Sequence, residues 1–137
     1  MSEILCNPIG YVSSPFKVRG DVPRRAELTE ISVITVKEEY LPALVGLEQH
    51  EWAFIICWFD RSDRTVLQAR RNESFPLAGV FANRSPDRPN PIALTLVKIL
   101  KIEGSQITVK GLEALDGTPI LDIKPFSEGI DTPNGTP

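Results

Sequence analysis

Ile92-Ala93-Leu94-Thr95-Leu96-Val97-Lys98-Ile99-Leu100-Lys101-Ile102, then Glu103-Gly104-Ser105, then Gln106-Ile107-Thr108-Val109-Lys110-Gly111-Leu112, is the stretch that decides the fold. Its apolar residues first fall on even positions (Ile92, Leu94, Leu96), shift to Val97 and Ile99, and shift back at Leu100 and Ile102. A slip of phase inside one long strand is what a β-bulge produces, and it bends the strand as a closing sheet requires. Glu103-Gly104-Ser105 makes the turn. The return run sets Ile107 and Val109 on one face and Thr108 and Lys110 on the other, completing a hairpin.

Working outward, residues 4–12 and 31–36 are apolar and β-branched and read as strands. Residues 52–59 are nearly continuous apolar and aromatic, which fits a central strand buried on both faces or lining a barrel. Short strands are expected at 77–82 and 120–123. In residues 37–50 the positions of Leu41, Leu44, Val45 and Leu47 have helical spacing, with Pro42 tolerable in a first turn, so one short helix is expected there. Residues 60–76 are polar and arginine-rich, a long loop or loose hairpin. Many short strands without βαβ alternation indicate an all-β fold, a single antiparallel β-barrel with one short helix, over residues 1–126. Residues 127–137 have little to bury and read as a flexible tail.

A chain of 137 residues with 42% hydrophobic content suits one globular domain. It has no apolar run near the roughly 20 residues that span a bilayer and no signal-peptide pattern at its start, which points to the cytoplasm and away from membranes. Cys6 and Cys57 read as buried, inert thiols, and with His50 the only histidine a Cys/His zinc site lacks ligands. The net charge of −3 disfavours a protein that coats nucleic acid nonspecifically. All nine arginines nevertheless lie between Arg19 and Arg88, in clusters at 19–25, 61–71 and 84–88. They form either one basic face or a scatter of solvated side chains.

Arg84-Ser85-Pro86-Asp87-Arg88-Pro89-Asn90-Pro91 is stiffened by three prolines, each fixing φ and biasing the residue before it toward extended backbone. Arg84 and Arg88 on such a loop suit a carboxylate or phosphate, and Asn90 suits a purine edge or the loop's own backbone. Asp116-Gly117-Thr118 is a turn by composition. No phosphate-binding glycine loop and no G-x-G-x-x-G is present, which disfavours a Rossmann enzyme.

Taken together, G-V-F-A-N-R-S-P-D-R-P-N-P-I at 79–92 and L-D-G-T-P-I-L-D-I-K-P-F at 115–126 closely resemble the two signature blocks of the TsaA-like family, whose members include TrmO-type tRNA methyltransferases. I-G-Y-V-S-S-P-F-K at 9–17 and V-P-R at 22–24 resemble that family's opening. The resemblance implies a small antiparallel barrel that binds S-adenosylmethionine, usually as a homodimer. It also implies methyl transfer to N6 of threonylcarbamoyl-modified adenosine beside the anticodon of tRNA. Carried over by motif, the cofactor site would comprise Pro23, Arg24, Arg25, Asp60, Arg61, Arg84, Leu94, Leu115, Asp116, Gly117 and Thr118, to which the signature blocks add Arg88 and Asn90. The chain departs from the family pattern at Arg25, where glutamine is common, at Asp60 (histidine), Asn83 (threonine), Ala93 (glycine) and Phe126 (tyrosine).

On this reading Arg84 pairs with the cofactor's carboxylate while Leu94 and Leu115 flank its adenine. Asp116 or Asp122 accepts a proton or stabilises charge on the amine, or Asp116 only makes its turn. Arginines at 61–71 and 19–25 would take tRNA phosphates; Trp52 and Trp58 either stack a base or belong to the core. Two other functions fit the same site: methyl transfer to a small molecule, and S-adenosylmethionine binding without catalysis.

Overall fold

A computed structural model of the protein describes residues 2–23 and 28–133. Eight strands are present: β1 (Gly10–Ser13), β2 (Ile31–Val36), β3 (Trp52–Trp58), β4 (Gln68–Ala69), β5 (Ala78–Gly79), β6 (Ile92–Glu103), β7 (Gln106–Lys110) and β8 (Pro119–Pro125). Six of them close an antiparallel barrel in the order β1-β2-β7-β6-β3-β8, while β4 and β5 pair separately as a small hairpin in the excursion between β3 and β6. The expected all-β barrel is therefore the fold.

The 2.0-residue period of a strand explains the core. Inward positions supply Val12, Ile34, Val36, Ile55, Cys57, Val97, Ile107, Val109 and Ile120, and Leu47, Leu112 and Ala114 complete the cluster. Each fully buried isoleucine contributes about 1.5–3 kcal/mol. Gly10 is required where β1 meets β2, because a Cβ there would lie 2.3 Å from the Thr35 carbonyl oxygen.

Several expectations change. The strand expected at 4–12 is confined to Gly10–Ser13. β2 offers partners only from Val36, opposite Gly10, and Ile4 and Leu5 stand 91% and 85% exposed. Cys6 is accordingly exposed rather than buried, whereas burial pushes the Cys57 thiol up to about 12. The helix expected in 37–50 is two 3₁₀ segments, Glu38–Leu44 and Leu47–Gln49. Gly46, at φ 96°, divides them. The one α-helix among the described residues is a single turn, α1 (Glu128–Asp131), in the segment read as a tail.

The bulge in β6 is real but sits at Ile99/Lys101, where pairing with β7 slips. Before it the inward face is odd-numbered, with Thr95 and Val97 buried. Ile92, Leu94 and Leu96 therefore point out of the barrel, opposite Trp58, Ile56 and Phe54 of β3. That outward apolar face is where the candidate site lies. No helix among the described residues is long and apolar enough to cross a membrane.

Candidate functional site

Strand β3 delivers Phe59, Asp60 and Arg61 to one end of the barrel, where the Phe59 N–H bonds the Pro91 carbonyl at 2.8 Å. Arg61 reaches across to the last turn, donating to the Asp116 carbonyl at 2.8 Å and the Thr118 hydroxyl at 3.2 Å, and it pairs with Asp60 at 3.5 Å. The turn itself needs Gly117 at φ 83°. Thr118 closes it, its N–H and hydroxyl both donating to the Leu115 carbonyl.

Asp116 is held from both sides. One carboxylate oxygen accepts the Ser14 N–H at 2.9 Å and the other meets the Lys17 ammonium at 3.1 Å. The Ser14 hydrogen bond, then Lys17 and Arg61, hold its carboxyl below the usual aspartate value. This geometry ties the turn to the end of β1, and a carboxylate so occupied is a poor proton acceptor.

The proline-rich loop separates its two arginines by role. Arg88 is half-buried and spends its guanidinium on the loop's own backbone, donating to the carbonyls of Val80, Asn83 and Ser85. Arg84 is exposed and gives one N–H to the Leu94 carbonyl at 2.9 Å; its other donors have no partner among the described residues. Asn90 is engaged by Arg64, which also donates to the Pro89 carbonyl at 2.7 Å and lies 5.0 Å over the Trp58 ring. The pair expected to act together thus comprises one structural arginine and one available to a ligand.

Asp87, within the same loop, fastens three segments. Its two oxygens accept both terminal nitrogens of Arg19 at 3.1 and 3.0 Å, and one also accepts the Asp63 N–H at 2.9 Å. Desolvation raises this carboxyl, but the Arg19 and Asp63 hydrogen bonds and the Arg19 charge outweigh it, so the group stays below the ordinary value.

These segments wall a cleft of about 1720 Å³. Of the residues expected in the site, Pro23, Asp60, Arg61, Arg84, Arg88, Leu94, Leu115 and Thr118 line it. Asp116, Gly117 and Asn90 do not line it; Asp116 accepts from Arg61 through its carbonyl and Asn90 accepts from Arg64. Asp122 is not brought there: it lies mid-way along β8, 3.5 Å from Lys124, and borders a separate cavity of about 470 Å³ beside the 3₁₀ segments. Arg24 and Arg25 lie outside the described residues. The cleft also takes in Arg19, Asp87, Phe75 and Glu113, none of which the sequence reading placed in the cofactor site. Asp87 carried a signal by standing inside a signature block, and Arg19 by belonging to the 19–25 arginine cluster.

The two blocks separated by 22 residues in sequence thus share one cleft, as a family-specific site requires. The family profile described as the tRNA-methyltransferase O N-terminal domain matches residues 11–132. The chain belongs to this family.

Among its relatives, a probable S-adenosyl-L-methionine-binding protein of Methanothermobacter thermautotrophicus is 43% identical over 131 residues, covering 95% of each chain. The human tRNA (adenine(37)-N6)-methyltransferase is 33% identical over 140 residues, 96% of this chain and 32% of its own length. The crystal structure of TrmO from Pseudomonas aeruginosa superposes with a TM-score of 0.80 at 28% identity, covering 99% of this chain and 61% of that one. This member of the family therefore spans about 61% of the TrmO chain and about 32% of the human enzyme.

Proposed function

We propose that this protein is a cytoplasmic, S-adenosylmethionine-dependent methyltransferase acting on N6 of the threonylcarbamoyl-modified adenosine beside the anticodon of tRNA. The observation that carries the reading is the cleft, which gathers both family blocks and whose roughly 1720 Å³ exceeds the ~300–1,000 Å³ of an ordinary small-molecule pocket. That leaves room for a cofactor and a second substrate.

The residues present fit the cofactor. Arg84 offers guanidinium donors that have no partner among the described residues for its carboxylate, and Leu94 and Leu115 offer apolar flanks for its adenine. Bound there, S-adenosylmethionine supplies a methyl group already activated on a sulfonium. The chain's own task is to align an incoming nitrogen and exclude water. Asp116, with both oxygens engaged, serves by holding the turn, and Asp122 lies outside the cleft, so neither takes a proton in this scheme.

The outward apolar face of β3 and β6, with Ile92 50% and Leu94 45% exposed, supports a homodimer in which a second copy covers part of that face. The deciding experiment is calorimetric titration with S-adenosylmethionine followed by labelled-methyl transfer to tRNA with and without the threonylcarbamoyl group. Binding with transfer only to modified tRNA is the expected result. Binding without transfer to any RNA favours a cofactor-binding module, and unchanged affinity in Arg84→Ala refutes the carboxylate assignment.

A further inference from the structure

Phe81 is 90% exposed, although exposing an aromatic ring on a soluble surface is unfavourable. The backbone that carries it is held on both sides. Val80 is buried and donates its N–H to the Leu67 carbonyl at 3.0 Å, and Arg88 binds the carbonyls of Val80, Asn83 and Ser85. The Asn83 side chain accepts the Ser85 N–H at 3.0 Å and donates to the Ala69 carbonyl at 3.2 Å. The backbone that presents the ring is therefore ordered before binding, which leaves only the side chain to be immobilised.

The bond to Ala69 joins this turn to Arg70 and Arg71. Both are exposed, both line the cleft, and neither has an ion-pair partner among the described residues. From 60 to 84, five arginines face three carboxylates in a chain whose net charge is −3. An exposed ring on a held backbone, one turn away from guanidiniums with no ion-pair partner among the described residues, suits unpaired nucleotides, whose bases stack on aromatic faces while arginines take the flanking phosphates. The tryptophans expected to stack are poorly placed for it, since Arg64 already covers Trp58 and Trp52 stands at the other end of β3, opposite Lys98.

We propose that Phe81, Arg70 and Arg71 form the docking rim for a single-stranded RNA loop, Phe81 stacking one unpaired base and the two arginines neutralising adjacent phosphates. The inference rests on the tRNA reading above and adds the surface that would carry it.

The test compares parent, Phe81→Ala, Phe81→Tyr and the double variant Arg70→Ala/Arg71→Ala. Readouts are filter-binding affinity for an anticodon stem-loop RNA across a salt series, calorimetric affinity for S-adenosylmethionine, and native mass. Phe81→Ala is expected to weaken RNA binding about tenfold and Phe81→Tyr to restore it, with cofactor affinity unchanged. The double variant is expected to lower the slope of log affinity against log salt by about 1.4. Parent-like RNA affinity and slope in the variants overturn the proposal while leaving the tRNA reading intact. A changed native mass in Phe81→Ala with unchanged RNA affinity overturns it in favour of a contact with a second copy. If the parent binds no RNA at all, the tRNA reading falls and takes this proposal with it.

Discussion

Arg88→Ala removes the side chain that holds the proline-rich loop together. The guanidinium serves three backbone carbonyls, those of Val80, Asn83 and Ser85. A hydrogen bond to a protein group is worth about 0.5–1.5 kcal/mol net, and at this half-buried site water can partly replace the lost donor, so about 0.5–1 kcal/mol per carbonyl is the appropriate share. The total is about 1.5–3 kcal/mol. For a domain of this size, at about 3 °C per kcal/mol, that lowers the melting temperature by roughly 5–9 °C. Calorimetric melting measures it directly. Arg88→Lys should recover only part of the loss, because a single ammonium lacks the planar fork that spans several acceptors. Cofactor affinity should fall in parallel, since the loop positions Arg84 against the Leu94 carbonyl. A melting temperature within 1 °C or so of the parent, with unchanged cofactor affinity, would refute the view that Arg88 organises the loop.

Other perturbations have equally definite outcomes. Gly10→Ala forces a methyl group to within 2.3 Å of the Thr35 carbonyl oxygen, so β1 must separate from β2; urea titration should show a loss of at least about 2 kcal/mol, or no soluble protein. Asp116, whose carboxyl is held below 3.8 by the Ser14 hydrogen bond and then by Lys17, stabilises the fold above 3.8, and that contribution is lost as pH falls through its lowered folded-state value. The urea midpoint of Asp116→Asn should therefore drop less steeply than the parent's in acid. A thiol reagent should modify Cys6 at once, and Cys57, buried and raised to about 12, only after denaturation; rapid native labelling of both would contradict the packing.

Much of the barrel was legible because its strands obey simple periods. Residues 31–36, 52–59 and 106–110 show their alternation or apolar continuity openly, and Asp116-Gly117 announces its turn. β6 misled for an instructive reason. Ile92, Leu94 and Leu96 look like a core stripe, yet the buried positions are Thr95 and Val97, because the outward stripe serves the cleft instead of the interior. Periodicity reports which residues avoid water without saying on which side. The residues 37–50 kept their helical spacing but wound as 3₁₀ turns around Gly46, a local choice that spacing does not resolve. Motif identity named Arg84, Leu94 and Leu115, which the fold brings to one cleft. It could not distinguish an arginine that bonds its own loop from one that is free to bind a ligand, because that depends on carbonyls brought near by folding.

The strand order carries a consequence for biosynthesis. β3 is flanked by β6 and β8, and both follow it in the chain. At ribosomal rates of about 5–20 residues per second, the 45 residues from Phe59 to the end of β6 take roughly 2–9 s to make, and the 67 to the end of β8 roughly 3–13 s. Until β6 is made, Trp-Ala-Phe-Ile-Ile-Cys-Trp, uncharged and free of proline, has neither neighbour, and until β8 follows one of its edges stays open to pairing with other nascent chains. Shielding of that one segment during synthesis therefore bears on the yield of this protein in a cell, separately from the stability of the finished barrel.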